Sequence, residues 1–155
     1  MQELSLHILD LARNSIEAGS SKIEISVREN TRDDVLRFSV LDNGPGIHEE
    51  ILPVITDPFF TTKEKKNNVG LGLSLLKAAA ERCDGRFEMK TSPGKGTEIT
   101  AFFRHGHIDR APLGDLPGTL TVLITSPGLD DLVYRHEVDE RWFLFSTRAL
   151  KETFG

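Results

Sequence analysis

The stretch Asp42-Asn43-Gly44-Pro45-Gly46-Ile47 puts a carboxylate where an alternating apolar run over residues 35–41 gives way to a glycine turn. Gly44 and Gly46 open backbone conformations closed to other residues and let a ligand approach the main chain. Pro45 stiffens the turn between them. A carboxylate at a strand end, beside bare backbone, suits a flat heterocycle that offers an N–H donor. The same six residues also read as a plain turn in which Asp42 and Asn43 hydrogen-bond their own backbone. The choice rests on what else the chain supplies.

Other residues of chemical interest recur along the sequence. Asp10 and Asn14 stand four apart in a predicted helix over 3–18, so they share one polar face, while Leu4, Ile8, Leu11, Ala12 and Ile16 share another. His7 reads as a member of the polar face, a surface or satisfied residue and not a ligand. Thr61, Thr62 and Lys63 follow two aromatics, Phe59 and Phe60. The aromatics suit a core, and the hydroxyls and ammonium after them suit phosphate. Gly70-Leu71-Gly72-Leu73 opens a predicted helix whose bare N–H groups and dipole favour an anion. Close helix packing with no ligand would also explain these glycines. Gly94-Lys95-Gly96-Thr97 reads as a hairpin turn. His105, His107 and His136 lack the cysteine or carboxylate spacing of a metal site, and none is expected to bind one. Cys83, late in a helix, reads as core.

The elements that must position these groups follow from periodicity. Strands are expected over 21–28 and 35–41, as an antiparallel pair joined by a polar loop over 29–34. A short helix is expected over 49–54, a polar loop over 63–68, and a longer helix from 69 to about 83, closed by Asp84-Gly85. Arg86–Thr91 and Thr97–Arg104 form a hairpin signal. Residues 105–117, rich in Gly, Pro and Asp, look like a linker. Residues 120–125 are helix or strand, 132–138 and 141–146 a hairpin over Asp139-Glu140, and 147–154 a last helix. This last part, 105–155, is an α+β extension too short to bury much core alone. It is expected to pack on the first part or on another copy.

Composition narrows the class of partner. The 155 residues suffice for a real core, and the net charge of -5 has both signs mixed along the chain. That leaves no basic face for nucleic acid and no polybasic patch for a membrane. No apolar run nears the roughly 20 residues of a membrane span. The first residues lack the charged-then-apolar order of a secretory signal, and none is expected. The single cysteine excludes an internal disulfide and fits a reducing cytoplasm.

Taken in order, five segments resemble the boxes of the ATP-binding domain shared by gyrase-type topoisomerases, Hsp90 chaperones, sensor histidine kinases and MutL repair proteins. They are Asp10-Leu11-Ala12-Arg13-Asn14-Ser15-Ile16-Glu17-Ala18, Asp42-Asn43-Gly44-Pro45-Gly46, Asp57-Pro58-Phe59-Phe60-Thr61-Thr62, Gly70-Leu71-Gly72-Leu73 and Gly94-Lys95-Gly96-Thr97. An ordered set is far more specific than any one motif. The resemblance covers residues 1–104 and is to a small stand-alone bacterial member. It implies an α+β fold: a two-layer α/β sandwich with a mixed sheet and helices on one face. It further implies that Asp42 accepts from the adenine amino group, that Asn14 holds Mg²⁺, that the box at Gly70, Leu71, Gly72 and Leu73 cradles phosphates, and that Thr97 lies near adenine. Asp10 stands where hydrolytic members carry a glutamate base.

Two other departures bear on function. No phosphoacceptor helix hairpin precedes the first box, so a complete sensor kinase is not expected. The lid between Thr62 and Gly70 is very short. The expected function is therefore Mg·ATP binding in the cytoplasm, with slow hydrolysis or phosphorylation of a separate protein. The alternative is a nucleotide-dependent protein-binding regulatory module without significant turnover. The expected partners are ATP and an unidentified protein partner or phosphate acceptor, with a homodimer as one arrangement.

Overall fold

The computed structural model describes residues 3–46, 69–91 and 93–147, with backbone alone for residues 69–71. The helix expected over 49–54, the segment holding Thr61, Thr62 and Lys63, and the helix expected over 147–154 beyond Thr147 lie outside the described residues. Three helices and six strands are described: α1 (Leu4–Glu17), β1 (Lys22–Asn30), β2 (Val35–Asp42), α2 (Val69–Arg82), β3 (Arg86–Thr91), β4 (Thr97–Arg104), α3 (Leu116–Ile124), β5 (Asp131–Val138) and β6 (Arg141–Ser146). The strands form one mixed sheet in the order β3-β4-β2-β1-β5-β6. All neighbours are antiparallel except β1 and β5, which run parallel. This is the mixed sheet with helices that the sequence implied.

Period-two alternation decides which residues face the helices. Ile23, Ile25 and Val27 of β1 lie opposite Asp42, Val40 and Phe38 of β2. Phe38 and Leu36 in turn face Ala101 and Phe103 of β4. All of these apolar side chains are buried. Leu4, Ile8, Leu11 and Ala12 of α1 meet them, as do Leu73, Leu76, Ala80 and Cys83 of α2. Phe38 and Phe103 stack with ring centres 5.9 Å apart. Each fully buried Leu, Ile, Val or Phe among them contributes about 1.5–3 kcal/mol by leaving water.

Residues after Arg104 enter the same sheet and the same core. β5 pairs with β1 along its length, from Lys22 opposite Asp131 to Glu29 opposite Val138. Leu116, Leu123, Leu132 and Tyr134 belong to the single buried cluster. The ambiguous apolar stretch at 120–125 is helical up to its C-cap Thr125, in α3, which begins at Leu116, earlier than hydropathy indicates. Asp115 starts it by accepting from the Gly118 N–H at 2.9 Å, the work of an N-cap. α1 has no such side-chain cap. Its first N–H groups, on Leu4 and Ser5, donate instead to the carbonyls of Pro112 and Leu113 at 2.9 and 2.8 Å. The segment before α3 thus satisfies helix donors that would otherwise be orphaned.

Candidate functional site: a clamped carboxylate at the end of β2

Asp42 ends β2 on the helix-facing side of the sheet, half-buried under α1. Its Oδ2 accepts from Ser15 Oγ of α1 at 2.6 Å. The Ser15 proton also has the Leu11 carbonyl in reach at 3.1 Å, but the shorter, charge-assisted contact is the stronger. Asp42 Oδ1 accepts from the Gly44 N–H at 2.9 Å and from the Thr97 N–H at 3.2 Å. A carboxylate offers about four acceptor directions. Among the described residues three are filled, both on Oδ1 and one on Oδ2, so the remaining one lies on Oδ2.

The turn after Asp42 is pinned from two sides. Asn43 Oδ1 accepts from the N–H groups of Ser21 and Lys22 at 2.9 and 3.0 Å, and its Nδ2 donates to Ser21 Oγ. On the other side the Gly94 N–H donates to the Pro45 carbonyl. Gly46 has φ +76°, a conformation L side chains rarely adopt. A Cβ on Gly96 would strike the Asp42 carbonyl, and one on Gly44 would come within 2.5 Å of Ser20 Oγ. The local Asp42–Gly44 hydrogen bond of the plain-turn reading is therefore real. It is one part of a larger clamp.

α1 links this clamp to the start of α2. A Cβ on Gly72 would collide with Asp10 Oδ2, so the Asp10 carboxylate lies against the start of α2 and a side chain at position 72 would push it aside. Burial pushes the Asp10 carboxyl above the ordinary aspartate value; Arg13 works against this and Glu17 with it. Asn14, half-buried, sits on the same helix between Asp10, which covers Gly72, and Ser15, which holds Asp42.

Other candidates from the sequence occupy different settings. Leu73 is buried in the core at 2% exposure. Thr97 reaches Asp42 through its N–H, while its hydroxyl pairs with Thr91 Oγ1 at 2.9 Å. The backbone of Gly70 and Leu71 lies in the first turn of α2. Sequence reasoning assigned no role to Ser15 or Ser20. Ser15 stands next to Asn14, and its place on the inner side of α1 was the available signal. Ser20 is buried at 2% exposure, and its hydroxyl has no hydrogen-bond partner among the described residues.

The histidines are distributed otherwise than the helix pattern suggested. His7 is not a surface residue. It is buried beside a cavity of about 200 Å³ lined also by Arg82, Cys83 and Asp109. Burial, then the Arg82 charge, lowers its pKa. The wider face of α1 is covered because α2 and α3 both pack on it. His105 and His136 flank Glu29 at the far end of β1, with Nε2 atoms 3.0 and 2.8 Å from its two oxygens. Tyr134 Oη lies 2.8 Å from His136 Nδ1. His107 Nε2 is 3.7 Å from Asp84 Oδ2. Among the described residues no group of three or more His, Cys, Asp or Glu is placed to hold a metal ion. Nor is any described helix long and apolar enough to cross a membrane.

The chain belongs to the family described as histidine kinase-, DNA gyrase B-, and HSP90-like ATPase, which matches residues 2–107. Among curated relatives, it is 38% identical over 106 residues to the sensor protein KdpD of Clostridium acetobutylicum, covering 66% of this chain and 11% of that protein. It is 40% identical over 93 residues to the sensor protein kinase FleS of Pseudomonas aeruginosa, covering 60% of this chain and 23% of that protein. The chain thus spans a quarter or less of these relatives. Among solved structures, the nucleotide-free catalytic domain of histidine kinase ThkA superposes with a TM-score of 0.54 at 27% identity, covering 68% of each chain. Full-length ShkA in complex with AMPPNP shares the fold, with a TM-score of 0.50 at 20% identity over 63% of this chain and 20% of that one.

Proposed function

We propose that this protein binds Mg·ATP at the end of β2 and turns it over slowly, by hydrolysis or by transfer to a separate protein. The observation that carries the reading is the Asp42 carboxylate. Three protein donors fix its orientation and leave one acceptor direction on Oδ2. An exocyclic adenine amine would donate there. Guanine would present a carbonyl at the same place and meet the carboxylate repulsively. The family of phosphoryl-transfer relatives and the AMPPNP bound by ShkA support the same assignment.

The chain's own groups fit the rest of the ligand. Gly44 and Gly46 keep the backbone beside Asp42 bare, and Thr97 holds the carboxylate from below. The amide oxygen of Asn14 is a hard donor suited to Mg²⁺ shared with phosphates. The start of α2, at Gly70, Leu71 and Gly72, offers N–H groups to phosphate, and Thr61, Thr62 and Lys63 supply hydroxyls and an ammonium. Mg²⁺, when bound, supplies charge neutralisation at the phosphates. Asp10 is the base in this scheme. It orients a water or accepts the proton of an acceptor group, and its raised pKa suits a residue that must take up a proton.

Calorimetry with ATP, ADP and GTP, with and without Mg²⁺, followed by phosphate release on the same sample, tests the assignment. ATP and ADP should bind and GTP should not. Equal affinity for GTP would remove Asp42 from base selection. A second reading, a nucleotide-dependent protein-binding module, is favoured by one feature: Asp10 is a methylene shorter than the glutamate of the hydrolytic relatives. Tight ATP binding with turnover at background would establish that reading.

A further inference from the structure

Among the described residues the sheet ends at β3 on one side and β6 on the other, and these two edges are built differently. At the β3 edge, Arg86, Glu88 and Lys90 alternate outward, and Arg86 pairs with Glu88 at 3.0 Å while lying 3.7 Å over the Phe102 ring. Charged residues are a common defence of an edge strand against further pairing. At the β6 edge the sequence is Arg-Trp-Phe-Leu-Phe-Ser, with a single charge, no proline and an unbroken ladder to β5. Trp142, Phe143 and Leu144 are 66%, 57% and 54% exposed. Phe143 is opposite His136 and so on the helix side, whereas Trp142 and Leu144, opposite Glu137 and Arg135, are on the open side. Both faces of the edge strand are therefore apolar and solvated.

We infer that β6 is the interface with a second copy of this chain, pairing antiparallel with the second β6 across a two-fold axis at Phe143. The backbone geometry selects this register. The two-residue loop Asp139-Glu140 makes Val138 and Arg141 the closing hydrogen-bonded pair of the hairpin. By alternation, the N–H and C=O groups of Trp142 and Leu144 point away from β5. Pairing about Phe143 sets Trp142 opposite Leu144 of the second copy, twice, so those outward groups bond each other.

Side-chain chemistry selects the same register. Trp142 and Leu144 form two cross-strand apolar pairs on the open face, and Phe143 meets its own copy on the helix face. Arg141 falls opposite Phe145 of the second copy, so the strand's one charge never opposes itself and instead meets an aromatic ring. The six-stranded sheets become one of twelve, and the Asp42 site, separated from β6 by β1 and β5, stays open.

Light scattering across a concentration series of the whole chain tests the inference. The wild type should reach twice the monomer mass. Phe143→Lys, which sets two ammonium groups against each other on the axis, should remain monomeric at every concentration while keeping the wild-type circular dichroism spectrum and a cooperative unfolding transition, its midpoint lowered by the loss of the second copy. Phe143→Cys provides a second readout that does not depend on the lysine variant folding. The non-hydrogen-bonded position on the axis holds its two Cα atoms about 4.5 Å apart, within disulfide range. Mild oxidation should give a covalent dimer, while the chain's own Cys83, buried at 2% exposure, contributes none. A wild type that stays monomeric, a dimer that survives Phe143→Lys, or a Phe143→Cys protein that fails to cross-link would each overturn the inference. So would a monomer that captures an extended foreign peptide along β6.

Discussion

Two carboxylates lie on the helix-facing side of this sheet, at opposite ends, and they are held in different ways. Asp42, at the end of β2, is oriented by two backbone N–H groups and a serine hydroxyl. None of these donors changes charge near neutral pH. Glu29, towards the end of β1, is flanked by two imidazoles, one of which is backed by Tyr134. Burial would raise the Glu29 pKa, but its hydrogen bonds from His136 and His105 outweigh this and hold it below the ordinary value. The same region pushes the Tyr134 hydroxyl up to about 12, through burial first and the Glu29 charge second. Glu29 joins residues drawn from β1, from the segment after β4 and from β5. Asp42 is held by its own turn, by α1 and by the first residue of β4. The Asp42 donors are all neutral and lie around one end of the sheet, whereas the Glu29 contacts tie together three segments distant in sequence.

Four substitutions sharpen or break this contrast. Asp42→Asn keeps an oxygen for the Gly44 and Thr97 amides but puts an N–H where the adenine amine would donate. ATP affinity should fall by at least roughly 100-fold, since a hydrogen bond to a charged group is lost and a repulsion added. The thermal midpoint should change little. Unchanged affinity by calorimetry would end the adenine assignment. Asp10→Asn should cut single-turnover phosphate release by about 10²–10⁴-fold, the usual worth of general-base help, with ATP affinity kept within a few-fold. It should also stabilise the fold at neutral pH. A carboxyl whose folded pKa is raised disfavours the native state once ionised, so stability falls as pH rises from about 3.8 through the raised folded value. Equal phosphate release in both proteins would remove Asp10 from the mechanism.

Asn14→Ala should weaken Mg·ATP binding more than metal-free nucleotide binding, and equal weakening of both would assign Asn14 a structural role. Glu29→Gln should give the smallest effect, with ATP affinity unchanged and about 1–3 kcal/mol of stability lost at neutral pH. The Glu29 pKa is depressed in the fold. Its contribution is therefore fully present above about pH 4.5 and lost as pH falls through the lower folded value. Urea titrations from neutral to acid pH should show the wild type and Glu29→Gln converging at the acid end. Parallel curves would show that the cluster does not couple Glu29 to folding.

Much of the first hundred residues was legible because local pattern and tertiary role agree there. The alternation expected over 21–28 and 35–41 is what a sheet with one buried face requires, and the observed strands Lys22–Asn30 and Val35–Asp42 differ from it only at their ends. The Arg86–Thr91 and Thr97–Arg104 bounds coincide with the sequence reading. The order of the glycine-bearing segments identified the family, which the match to residues 2–107 shows. α3 was harder to place, because a helix of nine residues with Pro117 and Gly118 in its first turn has no reliable periodicity. For His7, read as surface or satisfied, the surface reading fails because a two-sided helix model cannot anticipate that Arg82 of α2 and Asp109 of the segment after β4 gather around that side of α1.

Sequence by itself determined the family, since motif order and spacing along the chain are local facts. It also determined that the β-rich segments would bury one face. Only the tertiary structure decided that Ser15 orients Asp42, that the Asp10 carboxylate lies against Gly72, and that β5 runs parallel to β1 and brings the C-terminal strands into the sheet. Each of these joins residues far apart in the chain. Which pairs meet is set by how the helices and strands pack, and the amino-acid pattern along one segment does not encode its neighbour in space.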